Sequence, residues 1–372
     1  MIYLDNAATT KPCDEAKAAV MKGLEVFGNP SSLHRAGLDA ELLVSDAREA
    51  IADALGVTPY EVYFTSGATE SNNTAIFGAY KAHGKRKKRV VISSVEHPAV
   101  KNPAQELEDM GCEVVRISPD ENGEINARDI FAAVNEDTFL VSCMLVNNEN
   151  GYILPVEKAF SMIKKKYPHC DCVQGFMKIP VKAKKLNADM ISLSGHKIYA
   201  PKGIGALYVK KGIHIPPFML GGGQEKGFRS GTESVPLICG FGVAVKKLAP
   251  NVSANFEKAA DIQAYLIEKC NENGDVFVNS RKGGSPYVTS IAVKGLKSEV
   301  LLHYLEKREI YVSSGSACSK GKKSSVLKEF RYPEQSLDST IRISFSIDTT
   351  KADIDALMEG IKSAQNDLCK VR

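Results

Sequence analysis

The 372-residue chain has no tryptophan, and no run of apolar residues approaches the roughly 20 that cross a bilayer as a helix. It opens Met1-Ile2-Tyr3-Leu4-Asp5, without a basic stretch followed by an apolar segment, so neither a signal peptide nor a membrane anchor is expected. An excess of charge is missing too. The 48 Lys and Arg against 44 Asp and Glu leave +4, too little over this length to imply nucleic acid. Lys85-Arg86-Lys87-Lys88-Arg89 is the dense basic run and reads as a solvated loop before a strand. A contact with an acidic protein or a transfer RNA is the lesser reading. Nine scattered cysteines without zinc spacing predict reduced thiols in the cytoplasm and no metal. Cys170 and Cys172 fall on one face of a strand beside a core.

What is present is an alternation of short strands and helical patterns, which predicts a mostly parallel sheet covered by helices. The strand candidates are 61–65, 89–93, 113–117, 138–144, 170–173, 190–194 and 206–209. Between them lie amphipathic stretches such as 39–55, where Leu43, Ala47, Ala50, Ile51, Ala54 and Leu55 mark one face and Gly56 the stop. After Leu248-Ala249-Pro250 the pattern changes. A helix over 254–273, strands over 287–293, 310–313 and 340–346, a helix over 299–308 capped by Ser298 and a last helix over 351–368 predict a smaller α+β unit. Neither an internal repeat nor a low-complexity segment occurs.

Ser194-Gly195-His196-Lys197 closes the apolar run Met190-Ile191-Ser192-Leu193 and precedes the glycine-rich segment 200–205. A lysine released from a buried strand end is partly desolvated, which disfavours its ammonium form. The neutral amine forms a Schiff base with an aldehyde, commonly pyridoxal phosphate (PLP). Alone, the tetrapeptide equally fits a surface lysine after a core strand. Upstream, Asp171 sits inside Cys170-Asp171-Cys172-Val173-Gln174. A buried Asp is costly unless paired, and a pyridinium nitrogen is a suitable partner; capping of the following loop is the plainer reading. Gln174 is placed to donate to the ring's phenolic oxygen. Strand 61–65 runs into Ser66-Gly67-Ala68-Thr69-Glu70-Ser71-Asn72-Asn73, a small-residue turn that opens a helix and offers backbone N–H groups to an anion. Ser66 or Thr69 as N-cap explains the same residues without a ligand.

These motifs agree in order and spacing with Tyr3 to Thr10, Asn29-Pro30-Ser31-Ser32, Glu96-His97, Asn147-Asn148-Glu149, Arg229 to Glu233 and Ser313 to Cys318. On them the chain resembles the cysteine desulfurases of the class V aminotransferase superfamily, from Tyr3 to about Phe345. The resemblance implies an α/β fold-type-I PLP scaffold. Its large domain, with a mostly parallel mixed sheet, takes 15–250. A smaller α+β domain takes 1–14 and 251–372. Lys197 would hold PLP, Asp171 would pair with the ring nitrogen, and His97 would stack on the ring and shuttle protons. Asn148 would lie near the phenolic oxygen and the substrate. Ala68, Thr69, Ser194 and His196 would bind the phosphate, and Thr232 would reach it from the other subunit of a homodimer. Arg342 shares the polar face of its strand with Ser344, by alternation with Ile341, Ile343 and Phe345. An exposed strand arginine is usually only solvated; the resemblance makes it the clamp on the substrate carboxylate.

Cys318 stands in Ser313-Ser314-Gly315-Ser316-Ala317-Cys318, before a polar segment with three nearby lysines that favour the thiolate. The resemblance makes it the persulfide-forming cysteine of an enzyme that converts L-cysteine to L-alanine and passes sulfur to an acceptor protein. Cluster assembly, thiamine and tRNA thiolation are the candidate destinations. Selenocysteine lyases and aminotransferases on the same scaffold remain as alternatives, as does a PLP-free interaction scaffold. Met177 departs from the glycine usual before Lys178, and Ser234 from a common asparagine.

Overall fold

The computed structural model describes residues 1–164, 166–314 and 324–368. Its strands are β1 (Ile2–Tyr3), β2 (Val62–Thr65), β3 (Arg89–Ser93), β4 (Glu113–Ile117), β5 (Thr138–Ser142), β6 (Pro168–Asp171), β7 (Met190–Ser194), β8 (Gly205–Val209), β9 (Val276–Val278), β10 (Val288–Val293), β11 (Ile310–Tyr311) and β12 (Thr340–Ser344). Seven of them form one sheet in the order β2-β8-β7-β6-β5-β3-β4. Strand β8 runs antiparallel to both neighbours, and the other adjacent pairs are parallel. The α/β fold with a mixed, mostly parallel sheet matches the expectation.

Both faces of the sheet's interior are covered, so its inner strands are buried along their whole length, whereas the edge strand β4 exposes Glu113 and Arg116. Alternation instead distributes apolar side chains between two cores. Val91, Ile191, Leu193 and Tyr208 pack with helix Arg35–Leu55 on one side. Val90, Ile92, Met190 and Leu207 pack with helices Ala68–His83 and Pro98–Asp109 on the other. Helix Arg35–Leu55 stops where Gly56 turns left-handed at φ 69°, a conformation cheap only for glycine.

A second, antiparallel sheet runs β12-β10-β9, and β1 pairs with β11 in parallel. Leu4, Ile291, Ile341, Ile343 and Phe345 form its core with Leu266, Leu357 and Ile361 of helices Val252–Glu272 and Lys351–Asp367. The chain's first residues are thus stapled to its last third.

Several expectations shift. Strand β6 ends at Asp171 rather than running on to Val173, and β5 stops at Ser142. The two-residue β1 and three-residue β9 were too short to leave a periodic signal. Ser298 is the first helical residue, preceded by Lys297, and does not cap its helix. The helical stretch Val235–Glu272 reaches, by length and composition alone, what a membrane crossing requires, contrary to the reading that no run approaches it. Half of its apolar window is buried in the fold, and Val235–Leu248 packs on helices Asp14–Glu25 and Arg35–Leu55.

One buried ion pair fixes the loop that follows β8. Arg48 grips Glu225 through two bonds of 2.7 and 2.8 Å, and Glu225 also accepts from the Phe64 amide at 2.9 Å. Removing one partner of such a pair typically costs about 3–5 kcal/mol, because the other charge stays buried. Met177, at the departure from glycine, adopts φ 59°. That left-handed geometry strains a side-chain-bearing residue by about 1–3 kcal/mol and explains why glycine suits the position.

Candidate active site

The carboxyl ends of β2, β3, β5, β6 and β7 open on one cavity of about 880 Å³. Strand ends of open α/β sheets are where ligands bind, because loops diverge there and leave a crevice. Ten of the twelve residues singled out from the sequence line it: Ala68, Thr69, His97, Asn148, Asp171, Gln174, Ser194, His196, Lys197 and Arg342. Thr232 does not, and is exposed. Cys318 lies outside the described residues, but Ser324, Ser325 and Val326, which follow it closely in the chain, line the same cavity.

Lys197 enters from a turn directly after β7. Its Nζ donates to the carbonyls of Ala7 and Ala8, each at 2.6 Å, so the N-terminal segment aims the amine. Asp171, at the end of β6, is 5 % exposed. Its Oδ1 accepts from the Val173 amide at 3.0 Å, the loop cap anticipated as the plainer reading. Its Oδ2 accepts from Asn72 at 2.8 Å. The loop cap does not exhaust the carboxylate, which accepts at several positions.

His97 caps helix Pro98–Asp109, its Nδ1 accepting from the Ala99 amide at 3.1 Å. A neutral ring with Nδ1 as acceptor carries its proton on Nε2. Burial pushes its pKa below the usual histidine value; Asp171 opposes, while Lys197 and Lys101 add to the fall. His196 is pushed down to about 4, by burial first and then by Lys197, Lys202 and Lys178. Its Nδ1 meets Thr9 Oγ1 at 3.1 Å.

Helix Ala68–His83 starts at the cavity, and the residue before it is Gly67, not Ser66 or Thr69. No side chain caps it, and the Ser66 amide is already taken by Glu70 at 2.9 Å. Gly67 sits at φ 153° and ψ 176°, a region essentially confined to glycine, with open space where a Cβ would stand. The first turn is thereby left as an open anion cradle.

Arg342 corrects the picture of a solvated strand arginine: it is 4 % exposed. Its Nη2 reaches Asp5 at 2.7 Å and its Nη1 the Asn148 carbonyl at 3.0 Å, while its buried Nε has no partner among the described residues. Asp5 lies 337 residues away in the chain, so strand alternation alone could not reveal the pair.

Sequence reasoning also passed over Asn72, Glu96 and Glu149. Asn72 lies four residues after Ala68, on the same side of the helix, a signal that was available. Glu149 is pushed up to about 7, chiefly by burial, and accepts from Ser324 Oγ. Ser324 in turn caps helix Ser325–Glu329, whose Glu329 accepts from Ser94 and Ser118 at 2.9 and 2.8 Å. The segment 324–329 is therefore pinned at two points, to Glu149 at the cavity and to Ser94 and Ser118 beyond its lining.

Glu96 is fully buried and pushed up to about 8 by burial, against the bonds from Ser93 and the Met144 amide. Its Oε2 has no partner among the described residues. A carboxyl held protonated in the fold and ionised when unfolded destabilises the fold as pH rises. This group's contribution is full below 4.5 and is lost as pH approaches about 8. Denaturant midpoints of the apoprotein across that window are expected to fall less steeply for Glu96→Gln than for wild type. Parallel curves would contradict the assignment.

A buried carboxylate, an amine on a strand-end turn and an uncapped helix start around one cavity form a donor set that fits PLP. Its ring nitrogen, aldehyde and phosphate each have a chemically matched partner. The comparisons agree with that class. The Aminotransferase class-V family model matches residues 2–357, and the chain belongs to this PLP-dependent family. Within it the chain belongs with the cysteine desulfurases. It is 37% identical over 366 residues to Cysteine desulfurase IscS of Dictyoglomus turgidum, covering 96% of this chain and 93% of that one. It is 38% identical over 383 residues to a NifS/IcsS protein homolog of Lactobacillus delbrueckii subsp. bulgaricus, covering 100% and 99%. The solved structure of a NifS-like protein superposes with a TM-score of 0.93 at 34% identity, over 99% of this chain and 100% of that one.

Proposed function

We propose that this chain converts L-cysteine to L-alanine with Cys318 as the sulfur carrier. It is a PLP-dependent cysteine desulfurase, and the assignment of each step to a residue is our reading. One observation carries it. The amine of Lys197, the carboxylate of Asp171 and the guanidinium of Arg342 converge on a cavity that is also lined by the residues following Cys318.

When bound, PLP supplies an electron sink for charge developing at the substrate Cα. Lys197 holds it and moves the Cα proton. Asp171, steadied by Asn72, keeps the ring nitrogen protonated. Arg342 receives the substrate carboxylate, its Nε being the unpaired donor. Neutral His97, with its proton on Nε2, exchanges a proton at the substrate. The Cys318 thiolate attacks the substrate sulfur: an S–S bond forms, the Cβ–S bond breaks, and the electron pair left on Cβ takes up a proton to give alanine. L-cysteine added to the loaded protein is expected to release L-alanine, and sulfide once a thiol reductant is present. Release of neither would overturn the reading.

The same reading includes a division into 15–250 and 1–14 with 251–372, supported by the pairing of β1 with β11. Reduced, cytoplasmic surroundings are supported by the seven described cysteines, all free thiols. The sulfur passes to an acceptor protein. A homodimer is supported by two features. Thr232 is exposed and outside its own cavity, and Met21, Leu24, Phe27 and Leu33 are exposed apolar side chains close together in sequence. If each Thr232 serves the opposite site, mixing inactive Lys197→Ala with Thr232→Ala subunits rebuilds one intact site per heterodimer. Random exchange of equal amounts then restores about a quarter of the wild-type sites. Activity no higher than the mean of the two separate variants would contradict the swap.

A further inference from the structure

Lys178 plays no part in the chemistry above, yet it is among the most buried lysines of the chain, 6 % exposed on a turn just beyond β6. Burying an ammonium is expensive without a compensating anion. The charged groups that bear on it are Lys197 and Arg342, both cations. Among the described residues no carboxylate bears on it; Asp5 is paired to Arg342, and Asp171 to Asn72 and the Val173 amide. Lys178 Nζ donates to Gln174 Oε1 at 2.8 Å. The amide of Gln174 is thereby oriented, because its oxygen is taken and its nitrogen must face the other way. That nitrogen donates to the Ala7 carbonyl at 2.8 Å, the same oxygen that receives Lys197 at 2.6 Å.

A continuous chain thus runs from Lys178 through Gln174 and Ala7 to the cavity lysine. Gln174 lines the cavity and Lys178 stands behind it. The Gln174 amide nitrogen has two hydrogens; with one on Ala7, the other remains for an oxygen in the cavity. A flipped amide would set its oxygen against the Ala7 carbonyl, a repulsive contact that Lys178 prevents.

We propose that Lys178 is a positioning residue that locks the Gln174 amide toward the cavity and takes up a proton from solvent when the cavity receives the negative charge of PLP. Without that negative charge, the charged groups that bear on the buried ammonium among the described residues are both cations. With a phosphate and a phenolic oxygen in place, the local charge reverses and the ammonium is favoured. The proposal rests on the reading of this cavity as the PLP site.

The test is calorimetric titration of PLP into apoprotein at pH 8 in two buffers of different ionisation heat, which counts protons taken up per site. Burial and the two cations bring Lys178 down to about 7, so most of it is unprotonated at that pH before loading. The wild type is expected to take up close to one proton more than Lys178→Met. Lys178→Met is also expected to bind PLP about 10- to 100-fold more weakly, the scale of one hydrogen bond from a charged donor. Lys178→Arg keeps the donor and a permanent charge, so it should recover much of the affinity without the extra proton. Equal proton counts for wild type and both variants would overturn the proposal. If Lys178→Met does not fold, the Lys178→Arg count decides alone. Failure of PLP to bind the wild type, read by its visible absorbance, would remove the proposal together with the cofactor reading beneath it.

Discussion

Lys197→Ala protein is expected to show no measurable turnover of L-cysteine and to lose the visible band that marks PLP joined to the lysine. Lys197 is the amine placed at the end of β7, held by the Ala7 and Ala8 carbonyls. In the function proposed above, replacing it removes the attachment point of the cofactor and the group that moves the Cα proton. A general acid–base group alone contributes about 10²–10⁴-fold. Loss of the covalent attachment adds to that, so the combined drop passes below detection. Noncovalent PLP can persist, because Asp171 and the open start of helix Ala68–His83 are untouched. Cofactor content by mass and absorbance separates the two losses. Full activity in the variant would end the PLP account.

The second large effect concerns sulfur alone. Cys318→Ala should still bind L-cysteine and perturb the cofactor's absorbance, since Lys197, Asp171 and Arg342 remain in place, yet form almost no alanine. Removing a nucleophile from a site whose other groups act with it has cost many orders of magnitude in comparable enzymes, and the losses are not additive. Selenocysteine, with its better leaving group, is expected to retain part of its cleavage. Alanine formation from cysteine at the wild-type rate would make Cys318 a bystander.

The sequence made the sheet legible where strands are long and both faces are buried. Strands β3 and β7 fall where their apolar content put them. It was less legible where the strand ends in chemistry. Strand β6 begins at Pro168 and ends at Asp171, whose carboxylate takes the Val173 amide and so occupies a donor that a longer strand would have paired. Residues that act through distant partners were opaque. Alternation alone left Arg342 on a polar face, and only the resemblance gave it a role, because Asp5 and Asn148, which it bonds, approach only in the folded chain. The helix after β2 invited a Ser66 or Thr69 cap, yet Gly67 occupies that place at a backbone geometry other residues avoid. Lys178 carried no periodic or motif signal; its meaning lies in the hydrogen-bond chain through Gln174.

The central claim is that the sulfur of cysteine leaves on Cys318 as alanine forms. A single turnover of the PLP-loaded wild type with one equivalent of L-cysteine, quenched with an alkylating agent, tests it most directly. Alanine is counted in the supernatant and the digested protein is mapped by mass. The account predicts one alanine per site and one extra sulfur, confined to the peptide that contains Cys318. Alanine without added sulfur on that peptide, or the sulfur on another of the cysteines, would contradict it.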